Sequence, residues 1–134
     1  MTFVAWDNAL LVHVDPFDEH HKHLIQLINE THEKFQNKEL GSELGKLFEE
    51  LIAYTSYHLA AEEEWLEQQQ YPDLEAHRTE HAYFLRRIEE LHREFLAGDV
   101  FLGLEVITFM KSWIINHIAK TDAEYGQFAS ANNR

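Results

Sequence analysis

Apolar residues recur along this chain at intervals of three and four, the spacing that lines one face of an α-helix, over four long segments. The breaks between them fall at prolines, glycines and small polar residues. Residues 1–16 read as an irregular N-terminal arm ending at Pro16. A first helix is expected over about residues 18–37, and Gly41-Ser42 opens a second over 42–69. Tyr71-Pro72-Asp73 breaks the chain before a third helix over 73–97. Ala97-Gly98-Asp99 precedes a fourth over 100–120, leaving residues 121–134 as a polar tail. Short connections between long amphipathic helices favour antiparallel neighbours. The expected fold is therefore one all-α domain over residues 1–134, an up-down-up-down antiparallel four-helix bundle.

Polar residues interrupt these apolar stripes at one level. At about 100° per residue, Phe17, Leu24, Ile25, Ile28 and Phe35 share a face with His21, whereas His20 and His23 lie off it. The second stripe reads Leu44, Leu47, Leu51, Tyr54, His58, Glu62 and Trp65, with Glu63 and Glu64 turned outward. The third is Leu74, His77, His81, Phe84, Ile88, Leu91 and Phe95, and the fourth Val106, Met110, Trp113 and His117. His21 and His77 come early in their helices, His58 and His117 late in theirs, so an antiparallel bundle gathers all four levels at one end. One His-x-x-x-His is common by chance on a helix surface. Two i, i+4 pairs centred on core stripes, with single histidines centred on the other two, are not.

A buried carboxylate and several buried imidazoles at one level need something to satisfy them, and metal coordination does so. His21, His58, Glu62, His77, His81, His117 and Asp122 offer five imidazoles and two carboxylates, enough for two metal ions. Asp122 is the geometric exception. Five residues beyond His117, it lies about 140° off the stripe in a regular helix, so the fourth helix must end or bulge there. His13, His20, His23, His32 and His92 read as surface or packing residues.

Composition narrows the chemistry. The 134 residues contain no cysteine, which excludes disulfides, thiolate zinc sites and cysteine-ligated clusters and leaves nitrogen and oxygen as ligands. A formal charge of −13 has the wrong sign for nucleic acid or an anionic membrane surface and reads as a solvated exterior. No apolar run approaches the roughly 18 residues of a membrane span, and no signal segment is visible, so a soluble, cytoplasmic protein is expected.

The order His…His-x-x-x-Glu…His-x-x-x-His…His-x-x-x-x-Asp resembles the hemerythrin family, its bacterial single-domain members in particular. Further matches are Val4-Ala5-Trp6, Phe17-Asp18-Glu19-His20-His21-Lys22, Tyr54-Thr55-Ser56-Tyr57-His58, Tyr71-Pro72 and Trp113-Ile114-Ile115-Asn116-His117-Ile118, so the likeness spans the chain. It implies two non-haem iron ions. His77, His81 and His117 would hold one and His21 and His58 the other, with Glu62, Asp122 and an oxo or hydroxo group bridging. The family's aspartate also stands five residues after its last histidine, which assigns Asp122 a place. Dioxygen would bind reversibly at the two-histidine iron, beneath an apolar pocket of Leu59, Trp113, Ile114 and Ile118. His13, where glycine is frequent in bacterial members, and His20, where glutamine is, depart from the pattern.

The same resemblance implies a carrier more than a catalyst. Each ferrous ion gives dioxygen one electron and the bridging hydroxide its proton, so the formal charge of the buried centre hardly changes and the step can reverse. Ferritin-like oxidases use more carboxylates and paired Glu-x-x-His motifs. Storage, transport or delivery of oxygen is the leading expectation, without enzymatic activity. A sensory module built on the same site, a diiron oxidase or peroxidase, and a zinc or manganese site remain as alternatives.

Overall fold

The computed structural model describes residues 3–36, 42–97 and 102–132. It is all-helical, with no strand among the described residues. Helix α1 spans Phe17–Gln36, α2 Ser42–Gln68, α3 Leu74–Leu96, α4 Leu102–Asn116 and α5 Ala123–Asn132. The breaks expected at Gly41 and at Gly98-Asp99 lie outside the described residues. Each of α1 to α4 packs against its sequence neighbour, and α1 closes the ring against α4. This is the antiparallel four-helix bundle that the periodicity predicts. The interior is filled by the expected stripes, including Ile28, Leu51, Phe84, Ile88, Val106 and Met110, each at most 1 % exposed. Thr31 and Thr55, also buried, donate their hydroxyls to the Leu27 and Leu51 carbonyls at 2.7 Å, so neither leaves a polar atom stranded.

One expectation is overturned. Residues 123–132, assigned to a polar tail, are helical and continue the fourth rod. Tyr125 is fully buried, Ala129 nearly so, and Phe128 packs beside them against the core. Between α4 and α5, His117–Asp122 forms a wide π-helical turn, in which Ala123 N–H reaches the Ile118 carbonyl five residues back. The extra residue shifts the apolar phase, which is why the regular period is lost after Lys120.

The end of α2 explains the sharp turn into α3. Gln70 adopts a left-handed φ of 55°. Its N–H bonds the Glu67 carbonyl at 3.1 Å and the Tyr71 N–H reaches the Leu66 carbonyl at 3.0 Å, the paired bonds of a Schellman stop. Tyr71 buries its ring behind the stop, where it meets Phe128.

The N-terminal arm is irregular apart from one 3₁₀ turn at Asn8–Leu10, and it is tied down along its length. Asn29 on α1 clamps Val4 at both ends, accepting its N–H and donating to its carbonyl at 2.8 Å each. The buried Asp18 carboxylate accepts the N–H groups of Val12 at 2.8 Å and His13 at 3.0 Å, so a charge in the first turn of α1 also fastens the arm. His13 has φ 61°, the left-handed region that glycine enters most readily.

Against the other side of the arm lies Gly126 of α5. A Cβ there would collide with the Val12 carbonyl oxygen and crowd its carbon at 3.2 Å. Because the obstacle is backbone, Gly126→Ala is expected to push the arm off α5 and to destabilise the chain by about 1–3 kcal/mol. Chemical denaturation measures the loss, and faster limited proteolysis before residue 17 reports the freed arm. Wild-type values in both would show that the arm does not need this close approach.

Candidate metal centre

All seven sequence-predicted ligands come together at one end of the bundle. His21 arrives from the start of α1, His58 and Glu62 from the second half of α2, His77 and His81 from the start of α3, and His117 and Asp122 from the π turn. None is more than 5 % exposed. The π turn resolves the placement of Asp122, because widening one turn by a residue brings i+5 back towards the face that i+4 occupies in a regular helix. Asp122 is wholly buried beside His117.

The ligand atoms form two overlapping sets. Glu62, His77, His81, His117 and Asp122 make one, and His21, His58, Glu62 and Asp122 the other; within each, all atoms lie inside 4.8 Å of one another. Glu62 and Asp122 belong to both. Asp122 lies 3.1 Å from His21 Nε2, 3.2 Å from His77 Nε2 and 3.0 Å from His117 Nε2. Glu62 lies 3.2 Å from His58 Nε2, 3.5 Å from His77 Nε2 and 3.4 Å from His81 Nε2.

These approaches are close but poorly aimed as hydrogen bonds. Both Asp122 oxygens, Glu62 Oε1 and His77 Nε2 are buried without an aligned partner. Native proteins rarely leave buried polar atoms so. The atoms surround shared points between them, as ligands of a cation do, and imidazole and carboxylate are the donor set of a non-haem metal site. The residues present fit a metal ion.

Electrostatics agree with ionised carboxylates. Burial alone would lower the pKa of His21 and His77, but the adjoining Asp122 and Glu62 carboxylates outweigh it and raise both rings to about 9. His117 is raised in the same way, chiefly by Asp122. Burial would raise the two carboxyls, yet the surrounding imidazoles hold Glu62 and Asp122 below the usual carboxylate range. Without metal, rings and carboxylates neutralise one another.

A second layer of contacts escaped the sequence reading. Glu63, expected to face outward, is half-buried and lies 3.0 Å from His81 Nδ1. Glu80 lies 2.8 Å from His117 Nδ1 and also accepts the Thr121 hydroxyl at 2.9 Å. Tyr125, in the supposed tail, donates its hydroxyl to Glu62 Oε2 at 2.7 Å. Burial first, then the Glu62 and Asp122 charges, push its pKa well above 10, so that proton stays in place. His20, expected at the surface or in packing, sits with Nδ1 2.8 Å from His58 Nδ1. Phe17, Trp65 and Tyr125 meet edge to face at 5.5–6.0 Å and close this end of the bundle around the site.

On the His21 and His58 side is a small cavity with room for about one water-sized molecule. Leu59, Trp113, Ile114 and Ile118, the four expected pocket residues, all line it, together with Leu24 and Thr55. The Thr55 hydroxyl proton is committed to the Leu51 carbonyl and does not point into this space. Trp113 stacks on His117 with ring centroids 4.3 Å apart and fixes one wall.

The bundle and its imidazole–carboxylate cluster define a non-haem metal-binding four-helix protein. The hemerythrin HHE cation-binding domain model matches residues 12–129. The chain is 34% identical to a bacteriohemerythrin of Pseudomonas aeruginosa over 93% of its own length and 80% of the relative's. It is 30% identical to one of Methylococcus capsulatus, covering 98% of this chain and all of that one. A crystal structure of wild-type hemerythrin superposes with a TM-score of 0.83 at 29% identity, over 93% of this chain and 96% of that one. The chain belongs to the hemerythrin family. Among its described residues, no helix is long and apolar enough to cross a membrane.

Proposed function

We propose that this chain holds two iron ions and binds dioxygen reversibly, for storage or delivery. The observation that carries the reading is the pair of ligand sets sharing Glu62 and Asp122. In this assignment His77, His81 and His117 would hold one ion and His21 and His58 the other, with Glu62 and Asp122 available to both. The set with fewer histidines would leave its ion short of ligands, and the small cavity is lined by both of its histidines but by only one of the other three, His117. Iron there would supply the open coordination position and the electrons that dioxygen requires.

The chain's own residues do the rest. Leu59, Ile114 and Ile118 present hydrocarbon to the cavity and are at most 3 % exposed, which keeps bulk water from the ion and slows irreversible oxidation. With Thr55 turned away, no hydroxyl proton from the wall reaches a bound molecule. Tyr125 holds the shared Glu62 by its second face and limits how far that carboxylate can swing. The donor set, rich in imidazole and poor in carboxylate, favours a carrier over an oxidase.

Loading the chain anaerobically with ferrous iron, admitting oxygen and removing it again tests the reading. A visible charge-transfer band is expected to appear and vanish through repeated cycles, with two irons per chain by metal analysis. Irreversible conversion at the first exposure would overturn the carrier reading and favour a redox sensor or an oxidase.

A further inference from the structure

We propose that His20 is a positioning residue for the metal ion at His21 and His58: its Nδ1 accepts the Nδ1–H of His58, fixing that ring with Nε2 presented to the ion. The proposal rests on the two-metal reading above.

Two imidazole nitrogens 2.8 Å apart must share one proton, since facing lone pairs repel. Its owner follows from the other edge of His58. There Nε2 lies 3.2 Å from Glu62 Oε2 within the ligand set, and a ring that gives Nε2 to a metal carries its proton on Nδ1. His58 is therefore the donor and His20 Nδ1 the acceptor, leaving the proton of His20 on its Nε2.

His20 is itself held in place. Phe17 meets its ring edge-on at 5.6 Å and Tyr54 at 5.9 Å, and Tyr57 lies tilted against it at 5.5 Å. Phe17 also braces His58, at 5.9 Å. The acceptor thus has little freedom to rotate away from the donor.

The outer contacts of the two ligand sets also differ in charge. His81 and His117 each turn Nδ1 to a carboxylate, Glu63 at 3.0 Å and Glu80 at 2.8 Å. His58 turns its own to a neutral ring. A carboxylate partner makes an imidazole a stronger donor to its metal than a neutral partner does. His20 thereby orients its ligand without adding charge, and the ion at His21 and His58 is the more weakly held of the two.

Two substitutions separate orientation from packing. His20→Phe keeps an aromatic ring and loses the acceptor; His20→Gln loses the ring and keeps an amide oxygen that can accept. Zinc, which is redox-inert, is titrated into each full-length protein against a chromophoric chelator. The wild type is expected to bind two ions, the weaker of them at His21 and His58. In His20→Phe that affinity falls about tenfold or more while the tighter one holds; His20→Gln stays close to wild type. Nitrogen-15 NMR of the zinc-loaded wild type is expected to show His20 protonated on Nε2 and a scalar coupling between the two Nδ1 atoms. Unchanged affinity in His20→Phe, or an equal loss in His20→Gln, would overturn the role of His20 and leave the two-metal site intact. Fewer than two zinc ions in the wild type would overturn the site reading and this proposal with it.

Discussion

Glu62→Ala is expected to abolish binding at both metal positions and to destabilise the metal-free chain by about 3–5 kcal/mol. Glu62 is fully buried and belongs to both ligand sets, so no ion keeps its full complement without it. Its second role shows without metal. Oε2 meets His21 at 3.3 Å and His58 at 3.2 Å, and Oε1 lies 3.4–3.5 Å from His81 and His77. Burial favours its neutral form, but the His58 ring beside it and contacts from His21 and His77 keep it ionised. Truncation would leave Asp122 as the sole buried carboxylate among five imidazoles and strip Tyr125 of its acceptor. Metal analysis after loading and chemical denaturation of the metal-free protein measure the two effects. Glu64→Ala, an exposed change two residues along α2, should alter stability by less than about 0.5 kcal/mol. Retention of two ions by Glu62→Ala would refute the shared-carboxylate arrangement.

How much of this was legible in the chain depended on whether the helical period stayed regular. Along α1, α2 and α3 the apolar spacing runs unbroken, so His21, His58, Glu62, His77 and His81 could be placed on the core face and at one level by angle alone. The period fails at His117–Asp122, because a π turn inserts one residue into the fourth rod. Before the break the stripe places His117; after it Asp122 rests on family resemblance, and Tyr125 falls where the lost period reads as a tail. Tyr125, Phe128 and Ala129 do carry a helical spacing, but only once the phase is reset by one residue.

The outer contacts were hidden for a different reason. Glu63, Glu80 and His20 each flank a ligand in sequence, just off the core stripe, where helical angle alone reads as surface. Whether such a side chain bends inward depends on what the neighbouring helix offers. Glu80 of α3 reaches across to His117 on the fourth rod, and His20 of α1 to His58 on α2. Such partners are set by interhelical packing, which period and spacing do not encode. The departure at His20 was visible as a residue type; its consequence needed the distance.

Metal affinity is expected to rise about tenfold per pH unit between roughly pH 6.5 and 9, while the metal-free fold weakens over the same window. His21 and His77 are raised from 6.5 to about 9 because folding sets each charged ring against Glu62 and Asp122. A group whose pKa is raised by folding stabilises the fold fully below its unfolded value and ceases to do so as pH climbs through the folded one. Each ring therefore contributes on the order of 3 kcal/mol at pH 6, lost by about pH 9. The depressed pKa values of Glu62 and Asp122 describe the same contacts from the other side, and acid removes them as those carboxyls take up protons. The metal-free chain should thus be most stable near pH 5–6.5, with carboxylates ionised and rings charged. A cation needs those rings neutral. His21 lies in one ligand set and His77 in the other, so each ion displaces at least one proton, and binding strengthens as protons become scarcer. Zinc titration at pH 6, 7 and 8 against a competing chelator, paired with thermal denaturation of loaded and metal-free protein, reads both slopes. The gap in melting temperature should widen with pH; an affinity flat across this range would show that the rings are not the charged partners of Glu62 and Asp122 before the metal arrives.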